Sequence, residues 1–447
     1  MKKYTPPACY ALLLGLLLFQ LPTSGWGQTQ QQKVNLYVDN LFETTKIMVS
    51  DVTSPTGAAR FYAYITLGAY TALNQPVRIE QSLQQDFIAP LNIQYPAAAE
   101  IDSTFAAIYC LLSVGKGIMP SGVTLNSAQH KFIGRYKTNK WISAKKLQNS
   151  IAYADSIAKQ VLAYSKNDGY GKLSALPRYS PSKEPGTWYP TPPAYLGAID
   201  PEWKTIRPFY LSNLKQFKPA SPAPFSVDST SVFYKLTKEV YDTTKVLNKE
   251  KRLIANFWDC NPFMVSYSGH MAIGLKKISP GGHWVNIAGI ACQKADITFA
   301  EAVEVHTLLS TGLHDAFISC WEEKYDSDRI RPETVINRHI DQKWRPILQT
   351  PPFPEYTSGH SVISRTSATL LTYYFGDNFA YTDTSEEYFG LPPRKFKSFL
   401  QASDEAAISR LYGGIHYRDA IEVGVEQGAK IGRYIIGKVE DENLVVE

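Results

Sequence analysis

The chain has 447 residues, a formal net charge of +5, 44% apolar residues and 19% charged ones. That balance is ordinary for a folded chain of two or three domains and excludes wholesale disorder and fibrous architectures. The charge is mild and no Lys/Arg-rich run stands out, so no nucleic-acid partner is expected.

Residues 1–27 read as a signal peptide. Lys2 and Lys3 form the charged start, and Ala11 to Phe19 form an apolar run too short to span a bilayer. Small residues flank a cut after Gly27, and Cys9 precedes the apolar run, which is the wrong place for a lipoprotein anchor. No later apolar run reaches spanning length, so the expectation is an exported protein, periplasmic or secreted, without a membrane span. Cys110, Cys260, Cys292 and Cys320 remain after cleavage. Their spacing is irregular and lacks a CxxC, which argues against a cysteine metal cluster and leaves buried thiols or one or two structural bridges.

Residues 28–228 are expected to form an N-terminal helical region that ends in a loop stretch, and 229–447 a C-terminal helical bundle. Pro177 to Pro224 holds 11 of the 28 prolines, so it cannot be one helix. It also holds Trp188, Tyr189, Tyr195, Trp203, Phe209 and Tyr210, which mark an ordered loop region rather than a solvated linker. It either covers a site or packs on the surface. Further along, His283 to Ile290 (HWVNIAGI) reads as a strand or as helical turns. Ile297 to Tyr325 has the clearest helical period, with Ala302, Val305, Leu309, Leu313, Ala316 and Cys320 on one stripe. Ser361 to Phe375 is a second helix, stopped by Gly376. His416 to Lys438 is a third and carries Gly424, Gly428 and Gly432 at steps of four. With Glu422, Glu426, Lys430 and Arg433 on the same helix, that row reads as a soluble face for close helix packing. Long alternating strand patterns are scarce, so the fold class is all-α.

Three C-terminal segments carry chemistry. In WEEKYDSDRIRP, a helix running on to Arg331 would place Lys324 and Arg331 two turns apart on one face, and Pro332 then ends it. In PPFPEYTSGHS, Ser358, Gly359 and His360 precede an apolar-periodic helix, whose first N–H groups bind oxyanions. Ser268-Gly269-His270 repeats the tripeptide without the Pro-rich approach and is read as chance or structural. In SRLYGGIHYRD, Gly413 and Gly414 separate Arg410, ending one element, from His416, beginning the next. Singly, each segment has a plain structural explanation. Together, three basic side chains and the backbone at Ser358 and Gly359 can converge on one tetrahedral oxyanion, with two histidines flanking it. Nearby cations keep those imidazoles neutral, as attack, ligation or proton transfer requires.

Lys-x6-Arg-Pro, Ser-Gly-His and Ser-Arg-x5-His resemble, in order and spacing, the three-part signature of the phosphatidic-acid-phosphatase-type superfamily. That superfamily includes acid phosphatases, lipid phosphatases and vanadium-dependent haloperoxidases. The resemblance implies that Lys324, Arg331, Ser358, Gly359 and Arg410 hold phosphate or vanadate. It implies that His416 is the nucleophile or the vanadium ligand, and that His360 is the acid–base residue. Two positions depart from the pattern. Thr357 stands where Pro is usual before Ser-Gly-His. Ala420 stands where an Asp often follows the last His, and Asp419 comes one residue earlier. Asp419 and Asp259, in FWDCNPF, are the candidate supporting carboxylates.

Missing membrane spans exclude the lipid phosphatases, and the length exceeds that of small acid phosphatases. Trp321, three residues before Lys324, and Phe353, seven before His360, are placed like the halide-side aromatics of haloperoxidases. An apolar, polarizable wall suits a large soft halide. The resemblance therefore implies paired helical bundles with the site in the C-terminal one, and a vanadate enzyme oxidising iodide, or bromide, with hydrogen peroxide to hypohalous acid. An organic acceptor for the halogen is a further partner. The alternatives are an exported acid phosphatase working through a phosphohistidine, and a non-catalytic carbohydrate- or phosphate-binding helical protein.

Overall fold

The structure is a computed structural model that describes residues 28–73, 83–97, 100–268, 271–274 and 276–440. Residues 1–27, read from the sequence as a signal peptide, and the Gly269-His270 part of the repeated tripeptide lie outside the described residues.

The N-terminal region contributes α1 (Gln30–Ser50), α2 (Pro55–Leu73), α3 (Ser103–Ile118), α4 (Asn126–Thr138) and α5 (Ala144–Ser165). The C-terminal region contributes α6 (Val232–Lys245), α7 (Lys249–Phe257), α8 (Pro280–Lys294), α9 (Phe299–Ser327), α10 (Pro332–His339), α11 (Gly359–Phe375), α12 (Phe399–Tyr412) and α13 (Arg418–Val439). The described strands form two short antiparallel ribbons, β1 (Val265–Ser268) with β2 (Met271–Gly274) and β3 (Tyr381–Asp383) with β4 (Arg394–Phe396). The all-α expectation holds. His283 to Ile290 belongs to α8, which starts with Pro280 in its first turn, where a missing N–H costs nothing. No described helix is long and apolar enough to cross a membrane.

α2 and α9 form the axis of the molecule. Every residue of α2 is buried, as is α9 from Leu308 through Trp321, the burial expected of helices packed on all sides. One continuous apolar cluster joins residues from Val34 to Val439 across both regions. Polar residues of α9 are matched at several points, while His306 Nε2, Ser310 Oγ and His314 Nδ1 are buried without partners. A Thr298–Glu301 capping box opens the helix. His314 Nε2 meets the Arg207 carbonyl at 3.1 Å. Asp315 accepts the N–H groups of Phe209, Tyr210 and Leu211 at 2.7, 2.7 and 3.0 Å. That carboxylate ties the end of the Pro-rich stretch to the core, and burial still pushes its pKa up to about 7.

The glycine row of α13 packs against α11. A Cβ on Gly428 would stand 2.3 Å from the Val362 carbonyl oxygen, and one on Gly424 would stand 2.9 Å from Ser361 Cβ. Only glycine permits this approach, and it seats the start of α11: the Ser358 N–H donates to the Ala420 carbonyl at 3.0 Å. The four described cysteines are all free and buried, so the structural bridges left open by the sequence are absent among them.

Candidate active site

α9 ends at Ser327, one residue short of Asp328, which adopts a left-handed conformation (φ 44°). Arg331 therefore does not extend the Lys324 helix face. It is delivered from an extended segment, with φ −79° and ψ 150°, as the cap of α10. The Pro-rich stretch holds that segment in place. Trp188 N–H donates to the Asp328 carbonyl at 2.7 Å, Ile330 N–H to the Gly186 carbonyl at 2.9 Å, and Thr187 bridges Arg329. The Ile199 carbonyl accepts from Trp321 Nε1 at 3.3 Å and from the Tyr325 hydroxyl at 2.6 Å. This stretch braces the site from outside and does not line the cleft.

Gly359, His360, Arg410 and His416 line one cleft, with Trp321, Phe317 and Phe353 on one side and Asp259 to Phe263 on another. His416 Nδ1 lies 2.8 Å from Glu355 Oε1, which also accepts the Tyr417 N–H at 3.0 Å. Glu355, not Asp419, is thus the partner of His416. Asp419 stands one step out, 2.8 Å from Arg329 Nη1, and Arg329 lies 3.4 Å from the second Glu355 oxygen. With Nδ1–H donated to Glu355, His416 Nε2 keeps its lone pair toward the cleft, where it accepts from Arg331 Nη1 at 3.1 Å.

His360 has the same orientation logic. Its ring hydrogen-bonds to the Trp258 backbone, and its Nε2 is buried with no partner. The Trp258 carbonyl also accepts Arg410 Nη2 at 2.6 Å. Burial first, then surrounding cations, holds both imidazoles well below the usual histidine range. They are neutral at pH 7.

Of the three predicted cations, Arg410 lines this cleft, Arg331 reaches it through His416 and Lys324 lies beside Gly359, and they differ in what they hold. Arg331 donates Nε to the Phe353 carbonyl at 2.9 Å and Nη1 to the Ile415 carbonyl at 3.0 Å, while Nη2 is buried without a partner. Arg410 Nε donates to Ser409 Oγ at 2.9 Å. Lys324 Nζ donates to the carbonyls of Pro354, Glu355 and Thr357 at 3.1, 3.1 and 2.5 Å, so it also shapes the loop before α11. Burial pushes Lys324 down to about 7 and both arginines down to about 10. Ser358 caps α11, its Oγ accepting the Ser361 N–H at 3.3 Å. A Cβ on Gly359 would make only ordinary contact, 3.7 Å from Trp321 and 3.8 Å from Lys324 Cε. Asp259 is paired with Lys277 and raises the pKa of Arg410 through its charge.

The donor set fits a tetrahedral oxyanion. Buried cations, a helix start and an orphaned guanidinium nitrogen surround one cleft, and an anion would supply the missing partner and offset the cost of burying like charges together. Glu355, Arg329 and Trp258 were missed from the sequence. A carboxylate set among prolines and aromatics in PPFPEYT was the available signal for Glu355; Trp258 acts through its backbone, which no side-chain pattern reveals.

The model of the VCPO second helical-bundle domain matches residues 304–443. A crystal structure described as the first bacterial vanadium-dependent iodoperoxidase is 40% identical, with a TM-score of 0.82, and the match covers 92% of this chain and 97% of that one. A holo-type bacterial vanadium-dependent chloroperoxidase (14% identity, TM-score 0.64, 87% and 93% covered) shares the fold. An apo-type bacterial vanadium-dependent chloroperoxidase does so equally (14% identity, TM-score 0.63, 87% and 94% covered). Comparison with curated proteins gave no match.

Proposed function

The chain belongs to the vanadium-dependent haloperoxidases, and on that premise we propose that it is an iodide-oxidising enzyme using the residues assembled above. Vanadate is the family cofactor, and hydrogen peroxide and halide are its substrates. When bound, vanadate supplies a Lewis acid that polarises peroxide for attack by halide.

In this reading His416 Nε2 would be the ligand to the metal: Glu355 fixes the tautomer that turns that lone pair toward the cleft, and the Arg331 Nη1 that now donates to it would turn to the anion. Arg331, Arg410, Lys324, the Ser358 hydroxyl and the Gly359 N–H would hold the oxyanion's negative charge. His360 Nε2, neutral and without a partner, would be the group that accepts and returns a proton beside the bound anion. The Trp258 backbone keeps its ring aimed at the cleft.

The iodide preference rests on the wall. Trp321 and Phe353 meet at 4.9 Å between centroids, and Phe317 joins Trp321 at 5.4 Å. Dry aromatic surface favours the halide that gives up its water most readily. The 40% identity to a bacterial iodoperoxidase supports the same choice. The carrying observation is the pair of buried imidazoles whose Nε2 atoms share one cleft with Arg410. The test is to load the purified protein with orthovanadate and compare iodide and bromide oxidation by hydrogen peroxide. Iodide should exceed bromide in kcat/KM by at least about tenfold, a difference of about 1.4 kcal/mol. Equal efficiency overturns the iodide assignment, and aryl phosphate hydrolysis without vanadate-dependent halide oxidation would favour the phosphatase reading.

A further inference from the structure

We propose that Cys260, His283 and Glu386 form a separate metal site, for one zinc-class divalent cation, directly behind the oxyanion cleft. The ligands come from the segment after α7, from α8, and from the turn between β3 and β4, so cysteine spacing gives no hint of them. Their nearest ligand atoms lie within 4.8 Å of one another, and all three residues are buried.

The distances suit tetrahedral zinc. His283 Nδ1 is 3.5 Å from Cys260 Sγ and 3.2 Å from Glu386 Oε1. Bonds of roughly 2.3 Å to sulfur and 2.0–2.2 Å to nitrogen and oxygen give tetrahedral edges of about 3.6 and 3.4 Å. Both separations from His283 Nδ1 are thus already close to the required edges, and the third lies within 4.8 Å.

Two further observations point to a ligand. Glu386 is 3% exposed, and its Oε1, the oxygen facing His283, has no hydrogen-bond partner. His283 Nε2 lies 2.8 Å from Asp383 Oδ2. Donation there turns the Nδ1 lone pair toward Cys260 and Glu386, the carboxylate–histidine–metal arrangement in which the outer carboxylate fixes the tautomer. A thiolate, an imidazole and a carboxylate together select zinc over calcium or magnesium. A water or the second Glu386 oxygen completes the coordination. The competing state is an imidazolium held between Asp383 and Glu386, with Cys260 a protonated bystander.

The site would stiffen the floor of the cleft. Trp258 stacks on His283 at 4.6 Å and 20° between planes, and its carbonyl holds Arg410. Cys260 itself lines the cleft.

The test is elemental analysis of the full-length protein purified without chelator, followed by chelation and reloading with zinc or cobalt(II). One zinc ion per chain, a thiolate-to-cobalt charge-transfer band, and a melting temperature lowered by chelator are expected. Cys260→Ser should lose the band, and Cys260→Ser and Glu386→Gln should each weaken zinc binding at least about tenfold. Circular dichroism reports that the variants are folded. Wild-type protein that takes up neither metal, or a folded Cys260→Ser variant that binds zinc as well as wild type, overturns the proposal.

Discussion

Lys324 and Trp321 stand one turn apart on α9, yet they serve regions built by opposite rules. The floor of the cleft, with Arg331, Arg410, His360 and His416, gathers polar groups that the fold alone leaves incompletely paired: Arg331 Nη2 and His360 Nε2 are buried without partners. The wall, with Trp321, Phe353 and Phe317, is already satisfied. Its rings contact one another, and its indole N–H donates to the Ile199 carbonyl. A floor of this kind awaits a charged guest, whereas a wall of this kind only shapes the space beside it. Changes to the floor should therefore disable the enzyme, and changes to the wall should retune it.

The largest effect belongs to His416. His416→Ala should lower vanadate-dependent iodide oxidation by more than about a thousandfold, measured as kcat in protein that keeps wild-type circular dichroism. Retention of more than a tenth of the activity would dissolve the distinction between floor and wall.

Glu355 should come next. Glu355→Gln keeps the shape but replaces the carboxylate facing His416 Nδ1, and an outer partner of this kind is worth about 10–100-fold. We expect vanadate affinity or kcat to fall within that range while KM for iodide stays near wild type. An equal loss in Asp419→Asn would show that the outer carboxylate matters as much as the inner one.

Proton linkage gives an intermediate effect. Burial lowers Lys324 to about 7 in the free protein. Below that pH it is an ammonium that favours an anion; above it the charge is lost, so binding the anion must then take up a proton. Affinity for phosphate should fall as pH rises through about 7, by at most about tenfold per unit. Titration calorimetry on wild type and Lys324→Gln separates this term from the titration of phosphate itself. If the variant shows the same slope as wild type, Lys324 does not carry the linkage.

The wall should give the smallest change. Phe353→Ala removes one ring from contact with Trp321, a loss of about 1 kcal/mol or roughly fivefold. KM for iodide should rise by about that factor, with vanadate affinity unchanged, as steady-state kinetics at saturating peroxide would show. A thousandfold loss of kcat would place Phe353 with the floor.

Several features of the molecule were legible in the residues alone. The period of Ile297 to Tyr325 foretold α9, and the glycine row of α13 foretold a close helical contact, because both are local patterns read at a fixed rise per residue. Motif spacing gathered Lys324, Arg331, Ser358, Gly359, His360, Arg410 and His416 into one expected site; of these, Gly359, His360, Arg410 and His416 line one cleft, and Arg331 reaches it through His416. Local pattern failed where a choice depended on distant neighbours. Whether the helix ran on to Arg331 was such a choice, and it does not: Asp328 turns left-handed and the Pro-rich stretch pairs with the chain beyond it.

The order and type of the chemical groups were thus set by the sequence itself, together with the helices that present them. Which carboxylate backs His416 was decided only by the tertiary structure: Glu355, 61 positions away, is buried against it, while the neighbouring Asp419 is drawn to Arg329. The same holds for the four free thiols and for the meeting of Cys260, His283 and Glu386. The reason is physical. A hydrogen-bond partner is selected by burial and direction, and both exist only once segments far apart in the chain have packed together.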